Sequence, residues 1–362
     1  MSDQAAPAAE AIEGSPWREP VRGGYLDPAG LARPGSEQMR AMLEGRSPQP
    51  PLSRLTGLRL IAVGDGAATF ELPITEWLCS AQGTISLGPL TIPADAAIAC
   101  AIISLLPAET GPTTAELSLR MLHTVRPGDT VTARARVIDL GSTVSFAEAA
   151  VTDGDGRLVA HATSLCVLLS LPARAAAQPP HHEEPAEIPD PWRRSAIGAA
   201  VPASAWDRLS GLEVLREQIA GKLPLPPVHH LTGMTLVSAD AGTTTLNLPA
   251  TEWLCAPPPG RVQGGAVAVL AEAAITGAIQ TTLPAGVMPG PIDLKVNYLR
   301  PLAATGDVAV ATGTIVHAGR RLAVANAQVN DSTGKPVAVA TGSAILQAGG
   351  MLAPSPDRRA PE

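Results

Sequence analysis

The stretch Arg261-Val262-Gln263-Gly264-Gly265-Ala266-Val267-Ala268-Val269-Leu270-Ala271-Glu272-Ala273-Ala274-Ile275-Thr276-Gly277-Ala278-Ile279 decides how this chain is read. A glycine pair announces it, and from Gly265 onward it is made almost wholly of Ala, Val, Leu and Ile around one carboxylate. A helix that is apolar on every face is enclosed by other structure rather than laid on a surface. Glu272 near its middle would cost roughly 2.5 to 3.5 kcal/mol in a membrane span, and Gln263, Thr276 and Gln280 add polarity, so a core helix is expected instead. A buried acid in such a helix has a partner or a task, because its charged form is costly away from water.

The totals fit this reading. The 362 residues are enough for two ordinary domains, each with its own core. Only two Phe and two Tyr are present, so those cores must be built from aliphatic side chains and the five Trp. A net charge of −7 with no dense Lys/Arg run argues against a nucleic-acid binder. Cys79, Cys100, Cys166 and Cys255 are scattered without a C-x-x-C pair, so reduced, buried thiols are expected, with no metal site and no disulfide framework. Met1 to Gly14 has no basic start followed by an apolar run, so a cytoplasmic protein without a signal peptide is expected.

Working outward from the helix, the chain repeats itself. Leu55-Thr56-Gly57 returns as Leu231-Thr232-Gly233, and Thr75-Glu76-Trp77-Leu78-Cys79 returns as Thr251-Glu252-Trp253-Leu254-Cys255, both at one offset of about 176 residues. Pro16-Trp17-Arg18 and Pro191-Trp192-Arg193 echo each other nearly in phase. So long a period means two copies of a domain. In each copy a short amphipathic helix (Ser36 to Leu43; Leu212 to Ile219) precedes alternating strand-like runs (Ala67 to Leu72; Thr243 to Leu248). The long apolar helix follows, then four more strand candidates, for about five antiparallel strands per copy. The chain divides into a partly ordered leader over 1–34, domains over 35–171 and 209–348, a solvated linker over 172–208 and a tail over 349–362. His181-His182-Glu183-Glu184 matches no metal-ligand spacing and belongs to the linker. His229-His230 has Ser53-Arg54 in the equivalent places, so it is not a feature the copies share.

Several separated motifs now occur in order: Gln263-Gly264-Gly265 through Glu272, Ile292 to Tyr298 ending in Leu299-Arg300-Pro301, then Gly306-Asp307 and Gly319-Arg320-Arg321. This pattern resembles the phenylacetate-pathway (PaaI-like) branch of hotdog-fold acyl-CoA thioesterases, over nearly all of the second copy. The first copy is similar more weakly, with Gly88 and Asp95 standing where Gly265 and Glu272 stand and Arg126-Pro127-Gly128-Asp129 at the strand end. The resemblance implies an α+β chain of two tandem hotdog domains, each an antiparallel sheet wrapped around a long apolar helix, paired as a pseudo-dimer. It implies a small acyl-CoA substrate, no cofactor beyond the coenzyme A of that substrate, no metal, and a homodimer of double-hotdog chains.

Hydrolysis of a thioester needs a carboxylate to activate water or to attack, with donors for the oxygen that becomes negative. A helix N-terminus supplies such donors, and glycine allows close approach. In the family the helix start of one unit faces the acid of the other. Gln263 and Gly264 are therefore expected to face Asp95, and Glu272 to face Ser86, Leu87 and Gly88. Thr114, two residues before Glu116, fits the hydroxyl that assists the family's acid, whereas the second copy has Pro291 there. The composite of Gln263, Gly264, Gly265, Asp95 and Thr114 is thus the better equipped, with Glu272 and Gly88 in reserve. Gln263 stands in place of the family's His, and Pro257 in place of its Asn. Pro93 is expected to distort a first-copy helix beginning at Pro89. Arg300, Arg320 and Arg321, with Arg120 and Arg126 in the first copy, are candidates for phosphate contacts. The missing His and Asn motivate an alternative, a non-catalytic acyl-CoA or lipid-binding hotdog protein, and a hydratase ranks third for want of an Asp/His pair before the helix.

Overall fold

The computed structural model describes residues 14–171 and 188–348. His181 to Glu184, the tail over 349–362 and the first residues of the leader lie outside the described residues. Among the described residues, eight α-helices and twelve strands follow one another in two equivalent sets. The first repeat holds α1 (Pro28–Leu31), α2 (Gly35–Leu43), α3 (Pro51–Thr56), β1 (Arg59–Gly64), β2 (Ala67–Pro73), α4 (Leu87–Ile103), β3 (Thr110–Met121), β4 (Thr130–Leu140), β5 (Val144–Thr152) and β6 (Leu158–Ser170). The second holds α5 (Ala203–Arg208), α6 (Gly211–Ile219), α7 (Pro227–Thr232), β7 (Thr235–Asp240), β8 (Thr243–Pro249), α8 (Gly264–Gln280), β9 (Val287–Tyr298), β10 (Val308–Ala318), β11 (Leu322–Asn330) and β12 (Pro336–Ala348).

All twelve strands form one antiparallel sheet in the order β1-β2-β4-β5-β6-β3-β9-β12-β11-β10-β8-β7. The repeats join edge to edge where β3 pairs with β9, in a register that sets Glu116 opposite Asn297 and Leu119 opposite Leu294. Each half of the sheet curls around its own long helix, and α4 and α8 pack on each other between the halves. On α8 only Gly264, Ala273 and Thr276 escape full burial, as an all-apolar helix requires. The result is a tandem hotdog built from a single polypeptide.

Six strands stand in each repeat rather than the expected five. The additional ones, β1 and β7, are the outer edges of the sheet, and each carries a register shift, between Leu60 and Ala62 and between Leu236 and Ser238. A bulge breaks the period-two alternation that marks a strand in sequence, and β1 is exposed or half-exposed throughout. A second correction concerns α4. It begins at Leu87, not Pro89, so Pro89 falls in the first turn where its missing N–H is harmless, while Pro93 sits well inside and removes one helical bond without ending the helix.

Of the stretch read as a solvated linker, residues 172–187 lie outside the described residues, while the part from Ile188 and the end of the leader are both packed. Ile188 onward includes a 3₁₀ turn at Pro191–Arg193 and α5, whose Trp206 is buried. Trp192 lies against Gly57, and Trp17 lies against Gly233, so each segment braces the repeat to which it is not adjacent in sequence. The repeated Thr-Glu-Trp-Leu-Cys elements receive these segments. Trp77 donates its indole N–H to Arg194 O (2.9 Å) and Trp253 donates to Glu19 O (3.0 Å). Arg194 then pairs with Glu19 through two bonds of 2.7 and 2.8 Å, tying the two segments together.

Candidate active site

Two composite sites lie where the start of one long helix meets the middle of the other. At the first, Asp95 on α4 is 5% exposed and faces the start of α8. Its Oδ2 accepts from the Gly265 amide at 3.1 Å, and its Oδ1 accepts from the Thr114 hydroxyl at 3.0 Å. Thr114 owes its aim to a register shift between Thr114 and Glu116 on β3, the local device that redirects a side chain out of the alternating pattern. Burial raises the Asp95 pKa, and the bonds from Thr114 and Gly265 partly oppose that rise by favouring the charged form.

The glycine pair has two separate reasons. A side-chain carbon on Gly264 would stand 3.1 Å from Asp95 Oδ2 and 3.4 Å from the Tyr298 hydroxyl, filling the space in front of the acid. One on Gly265 would meet Ile92 backbone at 2.8 Å, where the two helices touch. Thr91 reinforces that contact, its hydroxyl lying 2.6 Å from Gly88 O and 2.8 Å from Gly265 O. Tyr298 donates to Gly264 O at 2.8 Å and fixes the first peptide of α8. Since Gly265 N–H is committed to Asp95, the Gly264 amide is a further first-turn donor at this helix start.

Gln263 is buried, and its Nε2 donates to Ile92 O at 3.1 Å. The opposite amide orientation would set two oxygens against each other. Its Oε1 is therefore the group that looks for a donor, and it has none among the described residues.

A cavity of about 440 Å³ opens beside Asp95. Met39, Met42, Phe70, Ile103 and Leu169 contribute apolar wall, and Arg261 and Arg300, both exposed, line it together with Gln263, Gly264 and Thr114. Arg320 and Arg321 lie exposed at the β10–β11 turn and line neither this cavity nor the one beside Glu272. Arg120 sits opposite Asp293 in the central strand pair, and the Arg126 amide is held by Asp129 in its turn. Sequence reading missed Tyr298 and Arg261. Tyr298 directly precedes the Leu-Arg-Pro strand end, and Arg261 stands just before the glycine pair, so proximity to those motifs was the available signal.

The second site keeps the outline with different groups. Glu272, also 5% exposed, accepts from Ser86 Oγ at 3.2 Å, from Thr276 Oγ1 at 2.7 Å and from the Gly88 amide. Burial again raises its pKa, with those three donors opposing. The helix start facing it offers Leu87 where the first site has Gly264. The expected crossing of helix start and acid is thus present at both sites.

With this geometry in view, comparison with known proteins is direct. The model of the thioesterase superfamily matches residues 82–160 and 259–338, one segment in each repeat, each spanning a long helix and the strands after it. Each repeat thus carries a segment similar to the thioesterase superfamily. Among solved structures, this chain is similar to the tesB protein of Mycobacterium avium subspecies paratuberculosis (14% identity, 82% of this chain and 98% of that one, TM-score 0.52). It is similar to a hot dog fold protein from Alicyclobacillus acidocaldarius (12% identity, 83% and 99%, TM-score 0.51). A protein from Novosphingobium aromaticivorans carrying a provisional thioesterase name is alike to the same degree (16% identity, 80% and 98%, TM-score 0.52). These likenesses concern the fold. No curated protein sequence matches this chain. No helix among the described residues is long and apolar enough to cross a membrane, and among them no group of three His, Cys, Asp or Glu is placed to hold a metal ion.

Proposed function

We propose that this chain is an acyl-CoA thioesterase that works at the Asp95 site. The observation that carries the reading is the crossed pairing of Asp95 with Gly265, which sets a carboxylate of one repeat against the amino end of the other repeat's helix. In this reading the thioester carbonyl oxygen lies on the Gly264 amide, where the helix end stabilises the negative charge that develops. Asp95 takes one proton of a water molecule, Gln263 Oε1 accepts a hydrogen bond from the O–H that remains, and the resulting hydroxide oxygen attacks the carbonyl carbon. The C–S bond then breaks, the thiol leaves with the proton returned from Asp95, and the free acid remains. Thr114 holds the carboxylate in place. The apolar wall suits an acyl group, and Arg261 and Arg300 suit the phosphates of coenzyme A.

The test is free-thiol release from short, long and aromatic acyl-CoAs by the intact chain and by Asp95→Asn. Turnover lost in the variant supports the proposal. Tight acyl-CoA binding without turnover across the panel would favour a binding protein instead, and full activity in the variant carrying both Asp95→Asn and Glu272→Gln would end the hydrolase reading.

A further inference from the structure

A separate cavity of about 120 Å³ lies beside Glu272. Val228, Met234, Leu236, Leu246 and Val269 give it apolar walls, and His229 on α7 lines it. His229 Nδ1 is buried and has no hydrogen-bond partner among the described residues. Burial, and after it the neighbouring His230, push this imidazole down to about 3, so the ring is neutral at ordinary pH and offers one donor and one acceptor. An unpaired buried polar nitrogen is costly, and a ligand with a matching group would remove that cost. The first repeat has Ser53 at the equivalent place, so the feature belongs to this cavity alone.

Three observations separate this cavity from a hydrolytic one. Glu272 is tied by two hydroxyls, Thr276 on Oε1 and Ser86 on Oε2, besides the Gly88 amide, one donor more than Asp95 receives. Leu87, fully buried, brings a side chain to the helix position where the Asp95 site has none. No Lys or Arg lines the cavity, in contrast to Arg261 and Arg300 beside Asp95, so coenzyme A phosphates would go unmet. We propose that the Glu272 cavity is a second, non-hydrolytic ligand site, taking a small uncharged molecule with an apolar body of a few carbons and one amide or hydroxyl that hydrogen-bonds His229. Its volume is that of roughly four water-sized groups. The chain would thus carry one reacting site and one sensing site on the same pair of helices.

Butyramide is a suitable probe, titrated by calorimetry into the full chain carrying Asp95→Asn, with coenzyme A present to fill the larger cavity. The expected result is saturable one-to-one binding that coenzyme A does not displace. His229→Leu should weaken it about tenfold or more, the loss of one buried hydrogen bond. Ala273→Leu, which fills the cavity from α8, should abolish it, and His229→Ser replaces His229→Leu if the latter does not fold. Absence of saturable binding, displacement by coenzyme A, or binding unchanged by both the His229 and Ala273 substitutions would overturn the proposal. So would acyl-CoA hydrolysis that survives Asp95→Asn and disappears with Glu272→Gln. The readout is binding rather than turnover, so its result does not depend on whether the Asp95 site hydrolyses anything.

Discussion

The Asp95 carboxylate of the first repeat and the Gly265 amide of the second are hydrogen-bonded at 3.1 Å, so the acid is held by the other repeat's helix start. Neither repeat alone contains the arrangement. Glu272 repeats it with Gly88, yet there the acid is tied by a second hydroxyl, and Leu87 stands at the helix position that Gly264 holds in the first site. Asp95→Asn is expected to lower kcat by about 10³-fold, while Glu272→Gln should stay within about tenfold of the parent chain. Free-thiol release under saturating substrate measures both, and the reverse order would assign the chemistry to Glu272.

The buried state of Asp95 also sets a pH dependence. Burial lifts its folded pKa above the unfolded value, so the protonated form is favoured in the native state. The native state thus binds that proton more tightly, and the cost of the ionised carboxyl is present above the folded pKa and vanishes below the unfolded one. Asp95→Asn should therefore have a higher Tm than the parent at neutral pH, with the difference shrinking as pH falls through the raised pKa towards the ordinary carboxylate range. Thermal melts of the two chains side by side isolate this group from the other carboxylates, and a difference that grows on acidification would contradict the assignment.

Thr114→Val removes a donor that favours the charged form of Asp95. The acid limb of kcat/KM should move to higher pH, and the rate at its plateau should fall by about tenfold. A pH-rate profile distinguishes this from a packing defect, which would lower the rate without moving the limb.

The two glycines should fail in different ways. Gly264→Ala places a carbon in front of Asp95 and Tyr298 and is expected to lower kcat by about tenfold or more with the fold intact. Gly265→Ala drives a carbon into the backbone at Ile92, a contact that must move, and should cost about 1 to 3 kcal/mol of stability. Denaturant melts and turnover on the same samples separate the two outcomes.

Arg300→Ala and Arg261→Ala should raise KM for acyl-CoA by about tenfold at low salt, with less effect as salt screens the charges. The same substitutions should leave acyl-pantetheine unaffected, since it lacks the nucleotide phosphates. Arg320→Ala and Arg321→Ala, remote from the cavity, should leave KM unchanged.

Much of this protein was determined by sequence alone. The repeated pentapeptide, the all-apolar helix and the glycine pair specify two copies of one domain with a buried acid, because periodicity and burial are local properties of the chain. The edge strands β1 and β7 stayed hidden because their bulges erase the alternation, and the packed segments around Trp17 and Trp192 because their partners lie in the opposite repeat. How each acid is held was likewise decided only in three dimensions. Gly265 and Asp95 are 170 residues apart, and whether Gln263 presents its nitrogen or its oxygen depends on a carbonyl, Ile92 O, supplied by the other helix. Hydrogen bonds and burial at a site shared by two repeats depend on distance in space, and residue spacing along the chain does not encode that distance.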